Sequence, residues 1–293
     1  GLRLAAEFIK SANPGATVWV SDPTWANHRP LLGSAGLGID QYPYYDYDSH
    51  SVRFEEMLAC LGNIEAGDVV MLHGCCHNPC GADLSQEQWR QIRDISLKQG
   101  FTVFIDLAYQ GLGDGPEEDV YGARLLAESL PELIVVTSCS KNFGLYRERT
   151  GAMTLIADSD VTTAIATTQI AAAARAMYSM PPDHGAAVVQ LILNDGALRS
   201  EWDAELTTMR NRINGLRAQL VKQFKAANMD EDFSFIEREK GMFSFLGVNV
   251  DQVQSLVNDY SIYLVNSSRI NVAGVNDDNI DYLASSLAAV LTA

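Results

Sequence analysis

Short, unbroken apolar runs alternate along most of this chain with longer stretches whose apolar residues recur every three or four positions. The runs at 16–21, 69–76, 102–109, 133–137 and 150–157 are rich in valine, isoleucine and leucine, the pattern of strands buried on both faces. Residues 38–46 read as a further strand that passes into an irregular segment. Between these runs the spacing predicts helices over 1–10, 52–61, 84–97 and 120–128. In the first of them Leu2, Leu4, Ala5, Phe8 and Ile9 share a face, and Ser85 is placed to cap the third. Strand and helix alternating at these intervals suit βαβ units. The fold class is therefore α/β, a mainly parallel sheet with helices on both faces. Helical patterns then run over 160–175, 185–193 and 198–226. Four short runs, at 233–236, 241–245, 262–265 and 269–273, read as strands of a smaller C-terminal α/β domain, closed by a helix over 276–292.

Composition narrows the functional classes. The 293 residues, 47% hydrophobic and 20% charged, are enough for one large globular domain and a smaller one. With 37 acidic against 21 basic residues the formal charge is −16, which argues against nucleic acid and anionic membrane surfaces as partners. An anionic small substrate is not excluded, because a local pair of arginines can dominate its own pocket. No stretch approaches the roughly 20 uninterrupted apolar residues of a membrane-crossing helix, and no signal peptide is visible. Five cysteines, an odd number, suit free thiols in a reducing compartment, so the cytoplasm is the expected location.

Candidate chemistry gathers where the apolar runs end. The run 133–137 breaks into Ser138-Cys-Ser-Lys-Asn-Phe-Gly-Leu-Tyr-Arg-Glu-Arg149. A lysine after a strand is ordinarily a solvated loop residue. It is also the residue whose amine is most readily lowered in pKa by burial or a neighbouring cation, and which can then attach covalently to a carbonyl. Arg149 is a fixed planar cation suited to a phosphate dianion. Asp106 interrupts a strongly apolar run, where a carboxylate is costly unless paired, so it is either a strand-end residue or a functional one. The cluster His73, Cys75, Cys76, His77 and Cys80 invites a metal, but a zinc site needs a second ligand pair at a distance and none exists. Cys75 and Cys76, adjacent on a strand, are expected to face opposite ways. No metal is expected.

The block from Ser138 to Arg149 resembles the cofactor-lysine motif of the class I aminotransferases, the aspartate and aromatic amino acid branch of the fold-type I pyridoxal-phosphate enzymes. The likeness continues through Trp25-Ala-Asn-His28, His73-Gly-Cys-Cys-His-Asn-Pro79, Asp106-Leu-Ala-Tyr109, Arg175-Ala-Met-Tyr-Ser179, Gly241-Met-Phe-Ser-Phe245 and Ser268-Arg-Ile-Asn-Val-Ala-Gly274. These blocks keep the family's order and run nearly end to end. The resemblance places a large cofactor-binding domain over 1–205 and a connecting helix with the small domain over 206–293. It also implies that the chain lacks the family's N-terminal part, including a phosphate-binding turn.

The resemblance further implies pyridoxal 5′-phosphate as cofactor and transamination between aspartate, or an aromatic amino acid, and 2-oxoglutarate. Lys141 would bind the cofactor covalently and move the substrate's proton, while Asp106 would keep the pyridine nitrogen protonated. Asn78 and Tyr109 would hold the phenolic oxygen, and Trp25 would stack on the ring. Ser138 and Arg149 would hold the phosphate. Arg269 would clamp the substrate's α-carboxylate, and Arg175 would reach a partner subunit's site in a homodimer to pair with a distal carboxylate. Cys80 stands where the family usually has threonine, Met180 where it has asparagine, and Ser267-Ser268 where serine-glycine is usual. Two other readings stay open here: another fold-type I enzyme such as a β-lyase, and a non-catalytic fragment.

Overall fold

The computed structural model describes residues 1–227, 229 and 231–292. Its first half comprises α1 (Leu2–Ala12), β1 (Thr17–Asp22), α2 (His28–Gly33), β2 (Gly38–Pro43), β3 (Tyr45–Asp46), β4 (Ser51–Val52), α3 (Phe54–Leu61), β5 (Val69–His73), α4 (Gln86–Gln99), β6 (Thr102–Leu107), α5 (Tyr121–Ser129) and β7 (Leu133–Ser138). There follow β8 (Gly151–Ile156), α6 (Asp160–Met177), α7 (His184–Asn194), the long α8 (Gly196–Ala226), α9 (Phe235–Arg238), β9 (Phe243–Phe245), α10 (Val250–Tyr260), β10 (Arg269–Asn271) and α11 (Ile280–Leu291).

Six strands form the main sheet in the order β2-β1-β5-β6-β7-β8, parallel throughout except for β8, which runs antiparallel to β7. Strand residues alternate between two cores. Val18, Val20, Val69, Met71, Phe104, Ile134 and Val136 pack with Ala5, Ala6 and Ile9 of α1. Val70, Leu72, Val103, Ile105 and Leu133 pack on the opposite side with Met57, Trp89, Ile92 and Leu126 of α3, α4 and α5. Helices therefore cover both faces, which is why the strands read as unbroken apolar runs. On α4 the expected cap is present: Ser85 accepts from Gln88 N, and the Gln88 side chain returns to Ser85 N. Such a cap contributes about 1 kcal/mol. Each buried Trp89 or Ile92 side chain contributes roughly 1.5–3 kcal/mol, so the core decides where α4 lies.

Two predicted strands are absent. Residues 233–236 form a helical turn, α9, because Asp232 accepts from Ser234 N and because Phe233, Phe235 and Ile236 are all buried, with no alternation to present. Residues 262–265 are irregular: Ile262 and Leu264 pack against the core and Tyr263 is 81% exposed, but β9 pairs with β10, so among the described residues this run has no strand partner. Two helices, α2 and α10, were not expected, although Asn249 and Gln252 form a capping box at the start of α10.

The helix α8 fastens the C-terminal elements. Arg217 is buried and donates to the carbonyls of Ile236, Gly241 and Phe243 and to the Ser244 hydroxyl. Farther toward its start, Arg212 donates to the carbonyls of Ala273 and Val275, just beyond β10.

Candidate active site

Parallel strands finish at one edge of a sheet, and ligands of such sheets sit there. β1, β5, β6 and β7 bring Trp25, Asn78, Tyr109 and Lys141 to that edge in the loops that follow them. Asp106 lies within β6, in register with His73 of β5 and Val136 of β7.

The buried carboxylate has the partner that its position demands. Asp106 Oδ2 lies 2.9 Å from His28 Nε2, and His28 is fully buried. Burial alone would raise this carboxyl. The His28 bond, with the neighbouring His28, His73 and Lys141, outweighs it and holds Asp106 below the ordinary carboxylate range. Thr24 Oγ1 stands 2.8 Å from His28 Nδ1 and 3.2 Å from His73 Nε2, so the hydroxyl bridges two rings. Trp25 sets its edge against the His28 ring at 5.2 Å. Burial, with His77 and His28 close by, keeps His73 well below the usual histidine range.

A second chain of contacts crosses the edge. Lys141 Nζ lies 4.8 Å from the centre of the Tyr109 ring. Burial lowers its amine below an ordinary lysine's, and Arg149 adds to this while Asp106 opposes it. Asn78 Nδ2 donates to the Tyr109 hydroxyl at 3.3 Å, and Asn78 Oδ1 accepts from Arg269 at 3.1 Å. Arg269 also stands over the Phe243 ring at 4.5 Å. Burial raises the Tyr109 phenol to about 12, Asn78 opposing the shift and Asp106 adding to it. Residues from four loops and strands thus form one connected group, Lys141 on Tyr109, Tyr109 on Asn78 and Asn78 on Arg269.

The remaining expected residues are placed less closely. Ser138 Oγ accepts from Ser140 N, and Arg149, exposed and in the left-handed region at φ 55°, donates to Tyr146 O. The two are not bonded to each other. Arg175 is exposed near the end of α6, where it donates to the Ser179 hydroxyl; no hydrogen bond joins it to the other site residues.

Cys75 and Cys76 depart from expectation. β5 ends at His73, and Cys76 takes a left-handed conformation at φ 50°, so both thiols turn to one side and come within 4.8 Å of Asp119. The carboxylate there is already occupied, accepting from the backbone N–H groups of Gly111, Gly113 and Asp114. Cys80, replacing the usual threonine, is buried with its sulfur 3.1 Å from His77 Nδ1 and leaves the Asn78 contacts intact.

His28, Thr24 and His73 had no role assigned from the sequence. The one signal was Asp106 itself, a carboxylate in an apolar strand that requires a partner.

This donor set fits pyridoxal phosphate. A half-buried amine of lowered basicity suits an aldehyde, and a buried carboxylate held charged suits a protonated pyridine nitrogen. Guanidinium groups suit phosphate and carboxylate. The comparisons with known proteins agree with that chemistry. The family model "Aminotransferase class I and II" matches residues 1–287. The chain is 47% identical to an aspartate aminotransferase of Haemophilus influenzae over 290 residues, covering 99% of this chain and 73% of that protein. It is 44% identical to an aromatic-amino-acid aminotransferase of Paracoccus denitrificans over 289 residues, with the same coverage of 99% and 73%. A crystal structure of the aromatic-amino-acid aminotransferase of Burkholderia pseudomallei, covalently bound to pyridoxal phosphate, superposes with a TM-score of 0.98 at 43% identity, covering 99% of this chain and 73% of that one. The chain belongs to the class I and II aminotransferase family.

Proposed function

We propose that this chain uses pyridoxal phosphate to transaminate aspartate or an aromatic amino acid with 2-oxoglutarate as acceptor. The contact system that joins Lys141 and Tyr109 to Asn78 and Arg269 carries this reading, because it sets an amine and a carboxylate-binding guanidinium around one space. When bound, the cofactor supplies an aldehyde for covalent capture of an amino group and a ring that accepts electron density.

Each residue then has a task. Lys141 would be the attachment point and would take the proton from the substrate Cα, a role that its lowered basicity suits. Asp106, kept charged by His28, would hold a proton on the pyridine nitrogen. Asn78 and Tyr109 would hold the phenolic oxygen, Trp25 would cover the ring, and Ser138 with Arg149 would hold the phosphate. Arg269 orients the α-carboxylate by a bidentate pair, which fixes direction as well as charge.

Arg175 serves the distal carboxylate of a partner's site in a homodimer. The apolar surface of α6 and α7 supports such an assembly: Val161 is 70% exposed, Ile165 60%, Leu191 63%, and Met180 between the helices 78%. Residues 206–293 act as the smaller domain, carrying Arg269. Five free thiols suit the cytoplasm, and among the described residues no helix is long and apolar enough to cross a membrane.

The test is to load the chain with pyridoxal phosphate, supply aspartate or phenylalanine with 2-oxoglutarate, and measure glutamate. Glutamate formed with either donor supports the reading; oxo acid released beyond one equivalent per cofactor without any acceptor points instead to lyase chemistry.

A further inference from the structure

We infer that Trp202 is a positioning residue for Lys141: from α8, through one hydrogen bond and one ring stack, it sets where the loop that carries the amine stands. The inference rests on the reading of Lys141 as the acting amine.

The indole Nε1 of Trp202 donates to Asn142 O at 2.9 Å, and the indole stacks on Phe143 with centroids 4.4 Å apart and planes 12° from parallel. Asn142 and Phe143 directly follow Lys141, so one contact falls on the Asn142 backbone and the other on the Phe143 ring, and neither touches the amine. Within the loop the bonds are local: Gly144 N to Lys141 O, Leu145 N to Cys139 O and Glu148 N to Leu145 O. The ties that reach outward beside Lys141 are Trp202 and the bond from Asn142 Nδ2 to Gln110 O at 3.2 Å. Asn142 Oδ1 is buried with no hydrogen-bond partner among the described residues, a cost that the structure carries at the residue next to the amine.

The same stripe of α8 also fixes the loop after Tyr109. Residues 202, 206, 210 and 214, four apart, lie on one helix face. Leu206 packs so closely on Gly111 that a Cβ there would stand 2.5 Å from it, and Gly111 adopts φ 90°. Arg210 donates to Gly111 O at 3.2 Å and Asn214 Nδ2 to Gly113 O at 3.1 Å. One rigid helix therefore registers the loop carrying Tyr109 against the loop carrying Lys141, and their 4.8 Å approach depends on it. Freed from Trp202, the Lys141 segment would admit water around an amine that burial now keeps weakly basic.

The experiment compares the 293-residue chain with Trp202→Phe, which keeps an aromatic ring and loses the donor, and with Trp202→Ala. In cofactor-free protein, trace acetylation of Lys141 is followed by peptide mass spectrometry as a function of pH, with thermal unfolding measured in parallel. The labelling midpoint should rise in Trp202→Phe and rise further in Trp202→Ala. In loaded protein, kcat for Trp202→Phe should fall about fivefold with KM little changed, the scale of one hydrogen bond. Variants that lose thermal stability while the labelling midpoint stays at the parent value would overturn the inference. If Trp202→Ala does not fold, Trp202→Phe decides alone. A labelling shift combined with full turnover by Lys141→Ala would overturn the reading of Lys141 instead, since labelling reports position without reference to turnover.

Discussion

His28 and Asp106 stand 78 residues apart in the chain and meet at 2.9 Å beneath the site, the imidazole fully buried and the carboxylate nearly so. A carboxylate in that position would be forced toward neutrality without a partner. The pairing keeps Asp106 charged, the condition for holding a proton on the pyridine nitrogen of a bound cofactor.

Replacing His28 by Ala leaves only His73 and Lys141 to oppose burial at Asp106. Because the native carboxyl lies below its ordinary value, its contribution to stability is present above that value and is lost as pH falls through the depressed one. His28→Ala should cost about 1–3 kcal/mol at neutral pH and move the acid limb of the unfolding curve to higher pH. Circular dichroism against pH checks both. An unchanged acid limb would contradict the pairing.

Glu239 behaves in the opposite sense. Burial raises its carboxyl from 4.5 to about 7, against bonds from Ser244 and Tyr45 and the nearby Arg217. A raised native value stabilises below the unfolded pKa and loses that stabilisation as pH climbs through the folded one. The parent should therefore lose on the order of 2–3 kcal/mol between pH 4.5 and 7 from this group. Glu239→Gln should lack that loss, so denaturant midpoints of the two chains should draw together or cross in favour of the variant as pH rises.

Asn78 joins the Tyr109 hydroxyl to Arg269. Asn78→Ala should leave the Tyr109 hydroxyl and Arg269 each short of one partner, lowering kcat/KM roughly 10-fold. In a double-mutant cycle with Tyr109→Phe the two losses should be less than additive, because they share the 3.3 Å bond. Steady-state kinetics of the four proteins measures this.

Arg269→Ala removes the guanidinium proposed to orient the α-carboxylate. Charge-assisted bonds contribute about 1.5–3 kcal/mol each, so kcat/KM should fall roughly 10- to 100-fold, mostly through KM. Cofactor affinity should change far less. An equal loss of cofactor affinity would place Arg269 in cofactor binding instead.

Much of the fold was legible because doubly buried strands must be apolar along most of their length, and β1, β5, β6 and β7 are up to their last residues. Asn78, Asp106 and Lys141 were legible as polar residues at or just beyond the ends of such runs. What escaped depends on distance or on pairing. The His28–Asp106 contact joins two motifs that were each visible, but periodicity carries no information about which strand ends become neighbours. The run 262–265 has strand composition and no strand beside it. The reversal of β8 depends on how the Lys141 loop turns back rather than on the residues of β8. Trp202 sits in an ordinary helical pattern, and only the packing of α8 against the Lys141 loop shows what its indole touches.

The most direct measurement is an absorbance titration of this chain and of Lys141→Ala with pyridoxal phosphate, followed by aspartate. The parent should develop a visible band that aspartate bleaches, and Lys141→Ala should develop none. A band of equal strength and equal response to aspartate in Lys141→Ala would contradict the assignment of Lys141 as the acting amine.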